Sequence, residues 1–400
     1  MDLELLRQLS VPNDTKILLL VIDGLGGLPN ESGRSELEQA HIPRLDRLAR
    51  ESLCGLTVPV AYGVTPGSGP GHLALFGYDP IQYTVGRGVL EALGIDFDLQ
   101  PQDVAARGNF CTADAERRIT DRRAGRIATE RTAGLCAMLR EIDLPGVQVF
   151  VEAVREHRFL LVLRGEGLSD GVSDTDPQRE GARPRPARAL VAEAEPTAAL
   201  LNQFVEQSEA RLKGHEPANM LTLRGFAKQP PMPSVAEVCK FRAAAIAAYP
   251  MYRGLAKLVG MQVLPTGPAF TDEVETLRAG WGAYDFFFIH YKPADSAGED
   301  GDFQAKIRAL EQVDTYIDAL HDLQADVFIV AGDHSTPAVV AGHSWHPVPF
   351  MLHGKRHLRA DSTEGFNERA CLRGALGTFP AKEVLSLAMA DAGRLTKYGA

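Results

Sequence analysis

Three short, unbroken apolar runs constrain this chain more than any other feature: K-I-L-L-L-V-I at 16–22, Y-D-F-F-F-I-H-Y at 284–291 and D-V-F-I-V-A at 326–331. Runs of this length without polar alternation predict strands buried on both faces of a parallel sheet. Each leads into a carboxylate. Asp23 follows the first run directly, Asp295 lies a few residues beyond the second, and Asp333 follows the third with His334 beside it. Singly, each aspartate could cap a helix. Together they predict one crevice at the carboxyl ends of the strands, where open α/β sheets place their ligands. Carboxylates gathered there repel one another unless cations compensate, and oxygen ligands mixed with imidazoles suit Mn²⁺, Mg²⁺ or Zn²⁺. A pair of divalent metals is the economical expectation.

A second constraint is V-T-P-G-S-G-P-G-H at 64–72, where Ser68 is framed by three glycines and two prolines. Such a stretch is neither strand nor helix interior. It predicts a constrained loop presenting one hydroxyl, with its remaining amides able to face an anion, and a helix starting near His72. An ordinary Pro/Gly turn would have the same composition. Two metals nearby would lower the pKa of the Ser68 hydroxyl and stabilise both ends of an in-line phosphoryl displacement, with no separate histidine base.

The 400 residues allow more than one domain, and the formal charge of −10 argues against a general nucleic-acid binder. Cys54, Cys111, Cys136, Cys239 and Cys371 show no paired spacing and read as reduced thiols of a cytoplasmic protein. No apolar run approaches the span of a bilayer, so no membrane partner is expected. Residues 43–52 predict a helix, and 303–323 a longer amphipathic one with Phe303, Ile307, Leu310, Val313, Ile317 and Leu320 on a single stripe. Between about 101 and 250 the texture turns more polar. Arg117, Arg118, Arg122, Arg123, Arg126 and Arg131 crowd one segment, either as a solvated face or as a clamp for phosphate or carboxylate. Strands are expected at 149–154 and 159–163, flanking His157 and Arg158.

The order of Asp23-Gly24, T-P-G-S-G-P-G-H, L-S-D-G-V-S-D-T-D-P, Y-P-M-Y-R-G, D-S-A-G-E-D-G-D, A-G-D-H-S-T-P and H-S-W-H-P-V-P-F resembles the archaeal-type cofactor-independent phosphoglycerate mutases of the alkaline phosphatase superfamily. The resemblance spans nearly the whole chain. It implies an α/β fold: an alkaline-phosphatase-like domain with a largely parallel sheet flanked by helices (1–100 and 251–400), and an inserted, smaller α/β substrate-binding domain (101–250). It also implies interconversion of 3-phosphoglycerate and 2-phosphoglycerate through a phosphoserine, without 2,3-bisphosphoglycerate. Carried over by position, Asp23, Ser68, Asp333 and His334 would hold one metal, with Ser68 also the nucleophile, and Asp295, Glu299 and His343 the other. Mn²⁺ is the first choice, with Mg²⁺, Co²⁺ or Zn²⁺ as alternatives.

Position 299 departs from the family, which usually has histidine there. Glutamate can still bind Mn²⁺ or Mg²⁺ through oxygen; the alternative is an exposed residue beside a weak or absent second site. His343 is preferred over His346 because it matches the family position. Lys292 would neutralise a phosphoryl oxygen, or else be a surface lysine lying along apolar neighbours. His157, Arg158, Asp174, Asp176, Arg253 and Arg122 are expected contacts of glycerate and phosphate. A domain closing on hinges near 95–105 and 245–255 would keep water from the phosphoserine. The rivals are a phosphomonoesterase or another phosphomutase of the superfamily, and a non-catalytic metabolite-binding relative. The oligomeric state stays open.

Overall fold

The computed structural model describes residues 1–356, 359–361 and 363–399. Its strands are β1 (Ile17–Ile22), β2 (Leu53–Val58), β3 (Val104–Ala113), β4 (Ile119–Asp121), β5 (Gln148–Arg155), β6 (Arg158–Arg164), β7 (Met220–Ala227), β8 (Ala243–Ile246), β9 (Gln262–Val263), β10 (Phe286–Tyr291), β11 (Val327–Ala331), β12 (Val348–Gly354) and β13 (Thr378–Pro380). They build two sheets. The larger has eight strands in the order β13-β2-β12-β11-β1-β10-β8-β9. Its pairings are parallel except where β12 runs against β11 and β2. The three apolar runs lie side by side at its centre, with Ile22 opposite Tyr291 and Val21 opposite Ala331. Every residue of β1, β10 and β11 is buried, because helices cover both faces. Each such fully buried aliphatic or aromatic side chain contributes roughly 1.5–3 kcal/mol.

The chain divides into two compact units, residues 1–84 with 232–400 and residues 85–231. These boundaries differ from the 101–250 read from sequence, and the crossings fall outside the expected hinges at 95–105 and 245–255. The reason is pairing and packing: β8 at 243–246 is hydrogen-bonded to β10 of the large sheet, whereas the helix Arg87–Gly94 puts Val89 and Ala92 into a core with Ala105 of β3 and Leu160 of β6. In the second unit β4-β3-β6-β5 form an antiparallel sheet, with β7 on the other edge of β3.

Two helices depart from expectation. The Gly-rich segment enters a helix at Ser68 rather than His72, and this helix runs to Leu75 with Gly67 as its N-cap. Pro70 is tolerated because the first turn of a helix leaves its N–H groups without intrahelical partners. The long amphipathic helix ends at Asp314 and resumes only at Ile317–His321. Ile307, Leu310, Val313, Ile317 and Leu320 are all buried, so the apolar stripe is real. The Asp314 carboxylate, almost fully buried, accepts from the backbone N–H groups of Arg44 and Leu45, at 3.1 and 2.7 Å, in the first turn of the helix Pro43–Arg50. Among the described residues no helix is long and apolar enough to cross a membrane. All five cysteines are buried and free.

Candidate active site

Parallel register does most of the positioning. β1 delivers Asp23, β11 delivers Asp333 and His334, and β10 passes through Lys292 into the helix Pro293–Glu299, which carries Asp295 in its first turn. Asp23, Asp295, Asp333 and His334 are all fully buried. Backbone approaches are close enough to require glycine. Gly24 has φ +65°, and a Cβ there would lie 2.7 Å from Thr336 Oγ1; one on Gly71 would lie 2.2 Å from the Asp333 carbonyl oxygen. The second of these lets the Ser68 helix press onto the Asp333 loop.

Ligand atoms converge in two overlapping groups, Asp23–Asp333–His334 and Asp295–His334–His343, each set within 4.8 Å. The imidazole of His334 joins them. Thr336 Oγ1 donates to Asp295 Oδ1 at 2.7 Å, so the His334 Nδ1–H, 2.9 Å away, donates to the threonine oxygen. That leaves His334 Nε2 as a lone pair. It lies 3.0 Å from Ser68 Oγ, 3.4 Å from Asp23 Oδ1 and 3.1 Å from Asp333 Oδ2. Asp23 Oδ1 and Asp333 Oδ2 are buried and accept no hydrogen bond. Two anionic oxygens and an imidazole lone pair facing one another form a donor set that fits a divalent cation.

On the other side, His343 stacks on His334 with ring centroids 3.7 Å apart, and its Nδ1–H donates to the Pro66 carbonyl at 2.9 Å. Its Nε2 lies 3.6 Å from Asp295 Oδ1 and 3.5 Å from Glu299 Oε1. Burial opposes its charge, but the bond to Glu299 and the nearby Pro66 carbonyl and Asp295 raise its pKa to about 9. The Glu299 side chain, 53% exposed, stands beside this group rather than within it. His346 lies outside both groups, stacked on Trp345.

Lys292 donates to Asp23 Oδ2 at 3.1 Å and to Asp295 Oδ2, and burial fails to discharge it because Asp23, Asp295 and Asp333 hold its pKa above the ordinary lysine value. Three neighbours were not singled out from sequence. Tyr252, on the helix Pro250–Leu258, donates to Asp23 Oδ2, sits 3.1 Å from Lys292 Nζ and interacts with Ser68. Burial, with Asp23 beside it, keeps its phenol protonated. His290 donates from Nε2 to Asp23 Oδ2 at 3.1 Å, and burial lowers its pKa to about 4. His72, one helical turn beyond Ser68, donates from Nδ1 to the Ser68 carbonyl at 2.8 Å and lies 3.2 Å from Asp333 Oδ2. Tyr252 lies in the quoted Y-P-M-Y-R-G segment, and the four-residue step from Ser68 to His72 was a usable signal. Arg253 follows Tyr252 on the same helix of the larger unit, apart from the other expected substrate contacts.

Those contacts lie in the second unit. His157 sits at the β5–β6 turn, and burial with the adjacent Arg158 lowers its pKa to about 4. Arg158 stands opposite Asn109 of β3, and Arg107, two residues away on the same face, stands opposite Arg224 of β7. Burial pushes Arg107 down to about 10, helped by Arg158, Arg224 and Arg87, while Glu91 opposes the shift. Arg122 pairs with Asp176 at 2.9 Å; the other Asp176 oxygen and Asp174 Oδ1 accept the backbone N–H groups of Gln178 and Gly225 at 2.8 Å each. Arg122 Nε, Arg224 Nε, Asn109 Oδ1 and His157 Nδ1 are buried without hydrogen-bond partners. Such a face is suited to an anion. Arg107, Asn109 and Arg224 were missed, although polar residues spaced two apart in V-A-A-R-G-N-F are what a one-sided polar strand face looks like.

A family model described as 2,3-bisphosphoglycerate-independent phosphoglycerate mutase matches residues 49–218. A Thermosipho melanesiensis protein named "Probable 2,3-bisphosphoglycerate-independent phosphoglycerate mutase" is 48% identical over 399 residues, covering 99% of both chains. A protein of the same name from Thermus thermophilus is 49% identical over 407 aligned positions, covering all of both. Among solved structures, a Pyrococcus horikoshii protein superposes with a TM-score of 0.83 at 28% identity, covering 97% of this chain and 100% of that one. The cofactor-independent phosphoglycerate mutase from Thermoplasma acidophilum gives 0.71 at 28% identity, covering 94% and 100%.

Proposed function

Because this chain belongs to the family of 2,3-bisphosphoglycerate-independent phosphoglycerate mutases, we infer that it interconverts 3-phosphoglycerate and 2-phosphoglycerate, and we propose that Ser68 carries the phosphoryl group between the two hydroxyls. The observation that carries the proposal is Ser68 Oγ, 3.0 Å from His334 Nε2, beside carboxylate oxygens buried without a hydrogen-bond partner.

Asp23, Asp333 and His334, with Ser68, would hold one divalent ion, and Asp295 and His343, with Glu299 as an outer oxygen ligand, the other. Mn²⁺ is favoured, because the carboxylate oxygens suit it better than Zn²⁺ or Co²⁺ and the imidazoles suit it better than Mg²⁺. When bound, such ions lower the pKa of the Ser68 hydroxyl and offset charge on the phosphoryl group in flight.

The chain's own groups do the rest. Ser68 Oγ forms the bond to phosphorus as the bond to the glycerate 3-oxygen breaks, and the proton lost by the serine is matched by the one gained by that oxygen. Glycerate then presents its 2-hydroxyl and the reverse exchange frees Ser68. Lys292, kept charged by its aspartates, would neutralise a phosphoryl oxygen. His72 fixes the Ser68 carbonyl and hence the entry of its helix. His157, Arg158, Arg122, Asp174, Asp176 and Arg253, joined by Arg107 and Arg224, are assigned to the carboxylate and phosphate of the substrate. Asp174 and Asp176 act there by holding backbone and Arg122 in place.

The test is product analysis of Mn²⁺-loaded protein given 3-phosphoglycerate without bisphosphoglycerate. The proposal expects 2-phosphoglycerate and a labelled serine after acid quench; inorganic phosphate as the main product would overturn it.

A further inference from the structure

The loops that carry Asp23 and Asp333 bring two buried carboxylates of like charge together, and Asp23 Oδ1 and Asp333 Oδ2 accept no hydrogen bond. Repulsion of this kind drives the loops apart unless something behind them holds them together. Their direct backbone ties are few: Thr336 N–H donates to the Gly26 carbonyl at 3.0 Å, and Ser335 forms isolated bridges to Leu25 and Gly26.

Lys306 supplies a stronger tie. Its side chain is fully buried, and its ammonium donates to the Gly26 carbonyl at 2.9 Å and to the Thr336 carbonyl at 2.8 Å, one acceptor on each loop. Two carboxylates complete the clip from either side. Glu368 accepts the Gly27 N–H at 2.8 Å and the Ser35 hydroxyl at 2.6 Å, while the fully buried Glu36 accepts the Ala338 N–H at 2.6 Å. Burial lowers the lysine's pKa, and the nearby Glu36, Glu368 and Asp295 oppose that shift. Thr336, which Lys306 grips by its carbonyl, is also the residue whose hydroxyl joins Asp295 to His334.

We propose that Lys306 is a positioning residue for the metal pocket: with Glu36 and Glu368 it locks the Asp23–Gly27 and Asp333–Ala338 loops into the spacing at which Asp23, Asp333 and His334 share one cation. This rests on the metal-bearing reading of the site given above. Lys306 touches neither substrate nor reacting atoms, so its removal should be seen first in metal affinity.

The experiment titrates the full-length chain with Mn²⁺, following free ion by electron paramagnetic resonance, for the wild type, Lys306→Gln and Lys306→Met. Near-ultraviolet circular dichroism at the same temperature selects samples that are folded. Glutamine can still donate to one of the two carbonyls, so the expected series is graded: about 3- to 10-fold weaker Mn²⁺ binding for Gln and at least about 30-fold for Met. At saturating Mn²⁺ the KM for 3-phosphoglycerate should stay within about twofold of wild type. If Lys306→Met does not fold, the glutamine variant alone decides. A lower melting temperature with unchanged Mn²⁺ affinity in both folded variants would reduce Lys306 to a core residue and overturn the proposal. A wild-type chain that takes up no Mn²⁺ would contradict the functional reading instead.

Discussion

The two units concentrate charge of opposite sign by different structural means. In the larger, parallel strands end side by side, so that register brings Asp23, Asp333 and His334 toward one buried crevice. In the smaller, antiparallel strands set arginines directly opposite one another or opposite a polar partner, Arg107 against Arg224 and Asn109 against Arg158, on one sheet face. The first arrangement is deficient in cations and the second in anions. Under the proposed function the first deficit suits a metal-assisted phosphoryl carrier and the second a clamp for a small polyanion.

Ser68→Ala breaks the contrast most severely. It should lower turnover by at least about 10³-fold and abolish labelled phosphoserine, with Mn²⁺ binding reduced by less than the activity. A rate within tenfold of wild type would remove Ser68 from the chemistry. Arg107→Met and Arg224→Met attack the other side. Each should cost about 10- to 100-fold in kcat/KM, expressed mainly in KM, while Mn²⁺ affinity stays at the wild-type value. Loss of metal binding in either variant would show that the two charge systems are not separable.

Glu299→Ala should weaken Mn²⁺ binding by about tenfold, because it removes the outer oxygen ligand assigned to the second ion, whereas Glu299→His should retain most of it. Equal affinities for the alanine variant and wild type would leave Glu299 as a surface residue.

The smallest effect concerns Glu273, which is buried and accepts the Ala248 N–H at 3.0 Å near the start of the Tyr252 helix. Burial raises its pKa from 4.5 to about 8, against the pull of the Ala248 and His290 amides. A folded-state value above the unfolded one means that its contribution to stability is complete below about pH 4.5 and falls as the pH rises to about 8. Glu273→Gln should therefore melt a few degrees above wild type at pH 9 and lose that advantage near pH 5 in thermal scans. Parallel pH profiles would place the ionisable group elsewhere.

Sequence carried the central strands and the strand-end aspartates because short apolar runs stopped by a carboxylate leave few alternatives. Ser68 was legible from its glycines, but the start of its helix was not, since Pro70 argues against a helix interior and is harmless in a first turn. Asp314 and Lys306 were hidden for a shared reason. Both lie in a helix whose apolar stripe reads cleanly, and only tertiary partners, the Arg44 and Leu45 amides and the Gly26 and Thr336 carbonyls, explain charges on its buried side. Register across β3, β6 and β7 likewise depends on pairings that a single strand does not encode, which is why Arg107 and Arg224 escaped while Arg158 and Arg122 were found.

The most direct measurement is an anomalous-scattering map from crystals of this protein grown with Mn²⁺. The account predicts two peaks, one bonded to Asp23, Asp333 and His334 with Ser68 Oγ in contact, the other to Asp295 and His343. Manganese bound only elsewhere, with the serine hydroxyl far from any peak, would contradict it.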